Sequence, residues 1–463
     1  MRIDEVLGKL YSFSSEQLIP LTSILSEEDK HKEGYIIGFT LNEWENEFPS
    51  ISTKNIFYGP WLSVTGMVYF DKEKYIWLNI PVVGTQTIIG SKSELAQSLK
   101  DNIQRQEELY QKKDYVQLFV GMPEALRMEL ICKMPQTMEE PSLFYNLFKI
   151  FYPASTCFTN GFPKQLGMQL LESKSAEQIK ETREKIKNLA RKDGKIIVYR
   201  GVADKSANAN EAISWTPDIN VAYFFAMRMG HDPKILTGYV NDENVVEYFS
   251  PEDEEGAEEE IIVVSGKVEN VSRLKLFDAN SSQINMVISR INQVYQKYRT
   301  AILILYHRAE IDSHEATHSL RVLLYALIIA EMLGIKKSQQ ILLAEAATYH
   351  DIGRKTDSVE PEHGIASRKI YEKKSDWNDI SAFAIEYHCE NDENAQKAAE
   401  KTFKDPKDAL RILWVLKDAD ALDRLRFGFP SQGNDALDIK QLRFEISKRI
   451  APFAKQSINQ IKP

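Results

Sequence analysis

The sequence predicts a multi-domain α+β protein that ends in an all-helical domain. The 463 residues exceed the usual size of one domain. Short runs rich in β-branched and aromatic residues, broken by Gly, Pro and Asn, predict strands in the first 277 residues. Beyond them, apolar residues recur at the i, i+3, i+4 spacing of amphipathic helices. We therefore expect three domains, at 1–113, 114–277 and 278–463.

The composition of the chain excludes some classes of protein function. Hydrophobic residues make up 43% and charged residues 27% of the chain, as in ordinary globular proteins. The net charge of -9 argues against a protein that mainly coats nucleic acid or an anionic membrane. The three cysteines form no CxxC pair, no apolar stretch is long enough to span a membrane, and the first residues lack the apolar core of a signal peptide. We expect a cytoplasmic protein, either in the producing cell or delivered into a host.

The first predicted domain, 1–113, carries no chemical motif. We expect strands at 35–40, 61–70, 75–80 and 82–89, followed by a polar amphipathic helix at 91–113. The domain is predicted to be an accessory α+β domain of unknown role, which recruits a substrate or acts as a scaffold.

The middle segment, 114–277, passes from helices to strands. We expect helices at 124–133, 143–151 and 176–191. Gly194 ends the last helix before a strand at 195–200. Further strands are expected at 245–249, 261–264 and 274–277.

Three features of this segment favour attack on a dinucleotide. Arg200 ends an apolar strand and offers a planar, two-pronged contact to a pyrophosphate. Ser214 begins the run Ser-Trp-Thr, which as an alternative is a helix cap. Glu258 and Glu260 lie on one side of an extended chain, where one can stabilise an oxocarbenium-like ribose and the other can deprotonate an acceptor. An acidic run taken alone is more often a solvated face.

The order of these features resembles the arginine–serine–glutamate class of mono-ADP-ribosyltransferases over residues 120–270. The resemblance implies a split β-sheet domain with a helical lobe, and NAD as the cofactor. It assigns NAD binding to Arg200, Gly201, Ser214 and Thr216, and catalysis to Glu260, Glu258, Ser214 and Arg200. The acceptor would be a protein or a nucleic acid. Trp215 and Thr216 depart from the usual Ser-Thr-Ser, and Glu259 leaves the choice of glutamate pair open by one residue.

The third segment, 278–463, is predicted to be helical throughout. We expect helices at 283–309, 314–333, 337–349, 375–388, 406–425 and 437–450. Six of the eight histidines of the chain lie between residues 307 and 388. His350 and Asp351 are adjacent at the end of an apolar helix. Neutral imidazole and carboxylate groups together suit a divalent ion such as Mn, Fe, Co, Ni or Mg, which can activate water and polarise a phosphoryl oxygen.

This segment resembles the HD-domain superfamily of metal-dependent phosphohydrolases over residues 290–450. The motifs that carry the resemblance are His318-Ser-Leu-Arg-Val, His350-Asp351, His363-Gly-Ile-Ala, Ala-Ile-Glu-Tyr-His388 and Ala-Asp420. The resemblance implies four core metal ligands, His318, His350, Asp351 and Asp420. It adds His363 and His388 for members that bind two ions.

Some assignments in this segment have competitors. His314 lies one helical turn before His318, and Asp418 competes with Asp420. His307 is expected to be a surface or packing residue, and a structural bundle with incidental histidines is the alternative to a metal site. Four basic residues are placed where a phosphate can be met: Arg354, Lys355, Arg424 and Arg426.

Together, the two resemblances predict a bifunctional enzyme that transfers ADP-ribose from NAD to a macromolecule and hydrolyses a phosphoester or nucleotide with one or two metal ions. Such a pair of activities fits a bacterial effector or toxin, or a phage-defence protein. Two alternatives remain. In one, an inactive NAD-like domain senses a nucleotide and regulates the phosphohydrolase. In the other, the chain is a non-catalytic binding module.

Overall fold

The computed structural model describes most of the chain. The described residues are 15–24, 41–49, 52–58, 67–80, 92–122, 124–153, 165–191, 193–203, 206–228, 233–250, 259–274, 281–306, 316–356, 360, 362–427, 436–458, 460 and 461. Three residues of the sequence analysis, Glu258, His307 and His314, lie outside them.

Contacts divide the chain into two compact units. The first contains Met1–Asn188, Asn244–Tyr248 and Ile262–Lys267. The second contains Leu189–Glu243, Phe249–Ile261 and Val268–Pro463. The mixed α+β fold predicted from the sequence is confirmed in these coarse terms. The boundaries after residues 113 and 277 remain a prediction.

The first unit combines helices with a small antiparallel sheet. The sheet has the order β1-β2-β3-β4. Its strands are Ile19–Pro20 (β1), Ile56–Tyr58 (β2), Met67–Asp71 (β3) and Ile76–Ile80 (β4). The helices are Leu21–Ile24 (α1), Leu41–Glu47 (α2), Lys92–Gln111 (α3), Tyr115–Val120 (α4), Glu124–Lys133 (α5), Pro135–Glu139 (α6), Pro141–Phe151 (α7), Leu166–Glu172 (α8) and Ala176–Ile186 (α9). The expected strands at 35–40 and 82–89, and residues 61–66 of the strand expected at 61–70, lie outside the described residues, whereas the expected helix at 91–113 corresponds to α3.

A buried ionic cluster lies in the core of the first unit. The ammonium group of Lys174 is 3.3 Å from Glu247 Oε2, donates to Thr182 Oγ1 at 2.5 Å and lies over the Tyr145 ring. The Tyr145 hydroxyl donates a short hydrogen bond to the same carboxylate. Every charged group of the cluster therefore has partners, as burial demands, and we assign the cluster a structural role.

The second unit contains a three-stranded antiparallel sheet with the order β10-β7-β5. Strand β5 is Lys195–Val202, and the central strand β7, Lys234–Asn241, was not expected from the sequence. Strand β10 is Val268–Leu274 and was not expected from the sequence; of the strand expected at 274–277, only residue 274 is among the described residues. Three further short strands are Ser214–Trp215 (β6), Val245–Phe249 (β8) and Glu260–Val263 (β9). Strand β6 belongs to the second unit, whereas β8 up to Tyr248 and β9 from Ile262 belong to the first.

Helices form the rest of the second unit and share one apolar core. They are Ile219–Arg228 (α10), Ser281–Leu305 (α11), Ala316–Met332 (α12), Lys337–Tyr349 (α13), His363–Tyr371 (α14), Asp379–Tyr387 (α15), Asp392–Thr402 (α16), Lys407–Asp423 (α17) and Glu445–Ser457 (α18). From residue 281 onward, the described part of the chain contains no strand, as predicted. Among the described helices of the chain, none is long and apolar enough to cross a membrane.

One expected helix, at 437–450, is wrong in its start. The structure has a short 3-10 turn at Ile439–Gln441, and α18 begins only at Glu445. The buried carboxylate of Asp418 accepts hydrogen bonds from the backbone N–H groups of Arg443 and Phe444, each at 3.0 Å. These bonds hold the residues before α18 outside the helix and satisfy N–H groups at its start.

Candidate metal centre

Six side chains predicted as metal ligands converge where five helices meet. His318 lies in the first turns of α12, and His350 and Asp351 follow the end of α13. His363 begins α14 and His388 follows the end of α15, while Asp420 comes from α17. Five of the six are buried; the side chain of Asp420 is 27% exposed.

The six side chains form two groups. In the first, His318 Nε2 lies 3.1 Å from His350 Nε2 and 3.4 Å from Asp420 Oδ1. In the second, the Nε2 atoms of His363 and His388 are 2.8 Å apart. In each group, the Nε2 atoms of two imidazole rings therefore lie within hydrogen-bonding distance of each other.

Asp351 lies between the two groups. Its Oδ2 atom is 3.5 Å from His318 Nε2, on the side of the first group. Its Oδ1 atom is 3.2 Å from His363 Nε2 and 3.4 Å from His388 Nε2, on the side of the second. One carboxylate thus offers one oxygen to each group, the arrangement of a bridging ligand.

Hydrogen bonds at Nδ1 determine which ring nitrogen carries the proton. The Nδ1 atoms of His350, His363 and His388 lie 2.9, 2.5 and 2.7 Å from the carbonyl oxygens of Ala347, Glu360 and Ile385. A carbonyl oxygen only accepts, so each Nδ1 is the donor. In the neutral ring, Nε2 is then left with a lone pair that faces the centre.

The donor set fits a divalent cation. Two Nε2 lone pairs at 2.8 or 3.1 Å cannot hydrogen-bond each other when both rings are neutral; a proton on one ring or a cation bound by both satisfies the pair. The set of four imidazoles and two carboxylates suits Mn, Fe, Co or Ni, and suits Mg, which prefers oxygen ligands, less well. The two groups would hold one ion each, with Asp351 shared.

Charge at the centre also favours a cation. Burial lowers the pKa of His350 to about 4, so this ring is neutral near pH 7. Burial acts the same way on His318, but hydrogen bonds to Asp351, Asp420 and Asp423 outweigh it and raise its pKa to about 10. Burial raises the pKa of Asp351, yet the neighbouring histidines keep it well below its usual range. The negative charge that favours a proton on His318 favours a metal ion at the same place.

Asp423 is a site residue that the sequence analysis missed. Its Oδ2 atom accepts from Nδ1 of His318 at 2.8 Å, which orients the ring and places the Nε2 lone pair toward the centre. Arg321 donates to both carboxylate oxygens of Asp423, and Arg426 donates to Oδ2. The two arginines therefore balance the charge of Asp423, which affects the centre by orienting the His318 ring. Its position three residues after Asp420, on the same helical face, was the available signal.

Changing Asp423 to asparagine should weaken one metal position selectively. Asparagine keeps the shape but loses the charge that holds His318, and loss of such an outer partner costs about 10–100-fold in metal affinity. Titration with Co²⁺ should show weaker binding of one ion, while the ion held by His363 and His388 binds as before. Asp408→Asn, an exposed change on the same helix, is the control. Equal weakening of both ions would contradict this role.

The competition between Asp418 and Asp420 has a structural answer. Asp418 is fully buried, points to Arg443 and Phe444, and is occupied by four hydrogen bonds from them. Asp420 is the carboxylate of this helix that lies near His318 and His350. The structure does not compare His314 with His318, because only His318 is among the described residues.

The basic residues predicted near a phosphate have different settings. Arg354 Nε lies 3.3 Å from Asp351 Oδ2, and its side chain is 16% exposed. Arg426 pairs with Asp423 and lies over the Phe427 ring. The backbone N–H of Lys355 bonds Glu360. Arg424 caps α17, and its side chain is half-buried. Of these four residues, Arg354 therefore contacts the carboxylate of a predicted metal ligand, Asp351.

The structure brings together two of the residues predicted to bind NAD. Arg200, on β5, donates from Nη1 to the carbonyl oxygen of Ser214 at 2.6 Å. Beside them, Tyr199 and Thr216 exchange backbone hydrogen bonds of 2.7 and 2.9 Å. Thr216 Oγ1 accepts from the N–H of Asp218, and Asp218 Oδ1 accepts from the N–H of Asn220 in the first turn of α10, so Asp218 rather than the Ser-Trp-Thr run caps this helix.

Three other residues of this prediction have surroundings that the structure describes. Trp215 is buried, so the departure from Ser-Thr-Ser places an indole in the core. A Cβ atom on Gly201 would come within 2.0 Å of the carbonyl oxygen of Ala222, so the packing of α10 on β5 requires glycine there. Glu260 is the first residue of β9 and is half-buried. The ADP-ribosyltransferase resemblance stays a prediction.

Comparison with known proteins concerns the helical part of the chain. The family model of the HD domain matches residues 316–425, a range that contains all six predicted metal ligands. No curated protein and no solved structure matches the chain. The HD part of the predicted resemblance is therefore supported. The match to the HD domain at residues 316–425 indicates that this part of the chain has the potential for metal-dependent phosphohydrolase chemistry.

Proposed function

We propose that the HD domain hydrolyses a phosphoester or a nucleotide with two divalent ions, one at His318, His350 and Asp420 and one at His363 and His388, with Asp351 shared. The observation that supports this most is the pair of close Nε2 contacts, one on either side of the Asp351 carboxylate. Bound divalent ions would supply an activated water and charge neutralisation for the phosphoryl group.

The protein's own groups have separate roles in this proposal. The backbone carbonyls and Asp423 hold the four imidazoles with Nε2 toward the centre. Asp420, which is partly exposed, marks the side from which a substrate enters. The guanidinium of Arg354 is placed to contact a phosphate oxygen with one edge while another contacts Asp351. This set of groups orients a phosphate but leaves the rest of the substrate undetermined.

The test of this proposal is metal content together with hydrolysis. Protein purified and loaded with Mn²⁺ or Co²⁺ should bind two ions per chain and should release phosphate or a nucleoside from one of a panel of nucleotides and phosphomonoesters. Elemental analysis gives the first number and chromatography identifies the product. Protein that binds no ion and gains no activity with Mn, Fe, Co, Ni or Mg would contradict the proposal.

We propose a second function, cleavage of NAD with transfer of ADP-ribose, on a separate observation. Arg200 and the run Ser214-Trp215-Thr216 are far apart in sequence but adjacent in the structure, joined by the Arg200–Ser214 hydrogen bond. Strand β5 continues to Val202, so Arg200 does not end it as expected, but an arginine held in this way can still make a two-pronged contact to a pyrophosphate. The acceptor, a protein or a nucleic acid, and a role as an effector or toxin remain predictions from the resemblance.

Binding of NAD tests this second proposal directly. The full chain should bind NAD in calorimetry, and Arg200→Lys should weaken binding although it keeps the charge, because lysine cannot make a two-pronged contact. Arg273→Lys, on β10 of the same unit, is the control. Unchanged affinity in Arg200→Lys would remove Arg200 from the site. Binding without nicotinamide release would instead favour a nucleotide sensor that regulates the HD domain.

A further inference from the structure

Cys389 lies beside the second metal position. Cys389 directly follows His388 at the end of α15, and the donor atoms of His363, His388 and Cys389 all lie within 4.8 Å of one another. The two histidines are buried, whereas Cys389 is exposed. The spacing of the three cysteines excludes a CxxC zinc site, and it predicts no function for Cys389.

The two buried imidazoles turn their Nε2 atoms toward each other. Both rings donate from Nδ1 to backbone carbonyls, of Glu360 and Ile385, so both Nε2 atoms present lone pairs. The exposed fractions of His363 and His388 are 5% and 6%, which leaves little access for water to pair with these lone pairs. Two buried acceptors that face each other at 2.8 Å call for a cation.

Gly364 makes room for the sulfur at this point. A Cβ atom on residue 364 would come within 3.0 Å of Cys389 Sγ and within 2.3 Å of the carbonyl oxygen of Glu386. The start of α14 therefore packs directly against the end of α15, with the sulfur over its first turn. The same close approach places His363 next to His388, so one packing contact assembles all three donors.

We propose that Cys389 is a further ligand of the ion held by His363 and His388. This inference rests on the proposed metal binding at those histidines. When the ion binds, the thiol loses its proton to solvent and the sulfur forms the bond to the metal as a thiolate. A site of two imidazoles, one thiolate and the Asp351 carboxylate selects Zn²⁺, Co²⁺ or Fe²⁺ over Mg²⁺ and Mn²⁺, because thiolate is a soft ligand. The two positions of the centre would then differ in metal preference.

Cobalt spectroscopy of the full chain tests this inference. A thiolate bound to Co²⁺ gives a sulfur-to-metal charge-transfer band in the near ultraviolet that imidazole and carboxylate ligands do not give. Wild-type protein titrated with Co²⁺ should develop the band with one of its two ions. Cys389→Ser and Cys389→Ala should lose it, and the affinity for that ion should fall by about 10–100-fold or more, since even an outer partner contributes that much. The control Cys132→Ala should keep both band and affinity.

The outcomes separate this inference from the proposed function. Two bound cobalt ions without the band in wild-type protein, or a band that persists in both Cys389 variants, would overturn the thiolate ligand and leave the two-ion centre intact. Absence of any bound cobalt would overturn the metal centre, and the inference with it. Circular dichroism of the variants checks that the helical domain is folded; because Cys389 is exposed, we expect both replacements to fold.

Discussion

Changing Asp351 to alanine should remove both metal ions and abolish phosphohydrolase activity. Its two oxygens face opposite groups of the centre, Oδ2 toward His318 and Oδ1 toward His363 and His388. No other described carboxylate near these histidines offers oxygens to both groups, so the loss of this one affects both positions. Metal content should fall from two ions per chain to fewer than one, and hydrolysis should fall to the rate without enzyme.

Single-group variants make this prediction specific. His388→Ala removes a ligand of the second group only, so it should lower the content toward one ion and reduce the rate without emptying the site. Asp408→Ala, an exposed carboxylate of α17, should change neither number. Asp351→Asn keeps the size of the side chain and guards against a folding defect. If Asp351→Ala and Asp351→Asn both retain two ions, the bridging role is wrong.

The metal centre shows what the spacing of motifs in a sequence can predict and what it cannot. The motifs identified the residues but could not show that His318 and His350 meet at Nε2, because the rings come from different helices. Nor could they order Asp418 and Asp420, which lie two residues apart. The difference between them comes from the start of α18. There, Asp418 accepts hydrogen bonds from the N–H groups of Arg443 and Phe444, and this long-range contact has no sequence signature.

Errors in the predicted elements have the same physical origin. Helices α14 and α16 were not expected, although α14 carries His363 at its start. Gly364 lowers the helix propensity of α14, and tertiary packing against α15 overrides that preference. Strand β7 was missed because Gly238 interrupts its apolar run, yet it is the central strand of its sheet and pairs on both sides. Local pattern fails where the deciding contact is distant in sequence.

In the middle segment, the structure describes only part of what the sequence predicted. The order of Arg200, Ser214 and Glu260 was read from the sequence, and the structure joins the first two by a hydrogen bond. For the acidic partner, Glu258 lies outside the described residues, while Glu260 begins β9 as the apolar run after it predicted. The structure therefore joins Arg200 and Ser214, and the binding of a dinucleotide by these residues stays a prediction.

Changing Glu260 to glutamine should abolish turnover of NAD while leaving the fold intact. Glutamine keeps the size and hydrogen bonding of the side chain at the start of β9, but it removes the charge that would stabilise an oxocarbenium-like ribose. Loss of such electrostatic stabilisation costs about 10²–10³ in rate. Release of nicotinamide from NAD measures the effect, and Glu269→Gln, an exposed change on β10, is the control.

Metal removal distinguishes this reaction from that of the HD domain. Cleavage of NAD by Arg200 and Glu260 needs no metal, so a chelator should leave nicotinamide release unchanged and stop phosphate release. Asp351→Ala should do the same. If Glu260→Gln turns over NAD at the wild-type rate, the catalytic assignment is wrong. If the wild-type chain binds NAD without releasing nicotinamide, and NAD changes the rate of hydrolysis, the middle segment is a nucleotide sensor for the HD domain, because binding without chemistry leaves regulation as its effect.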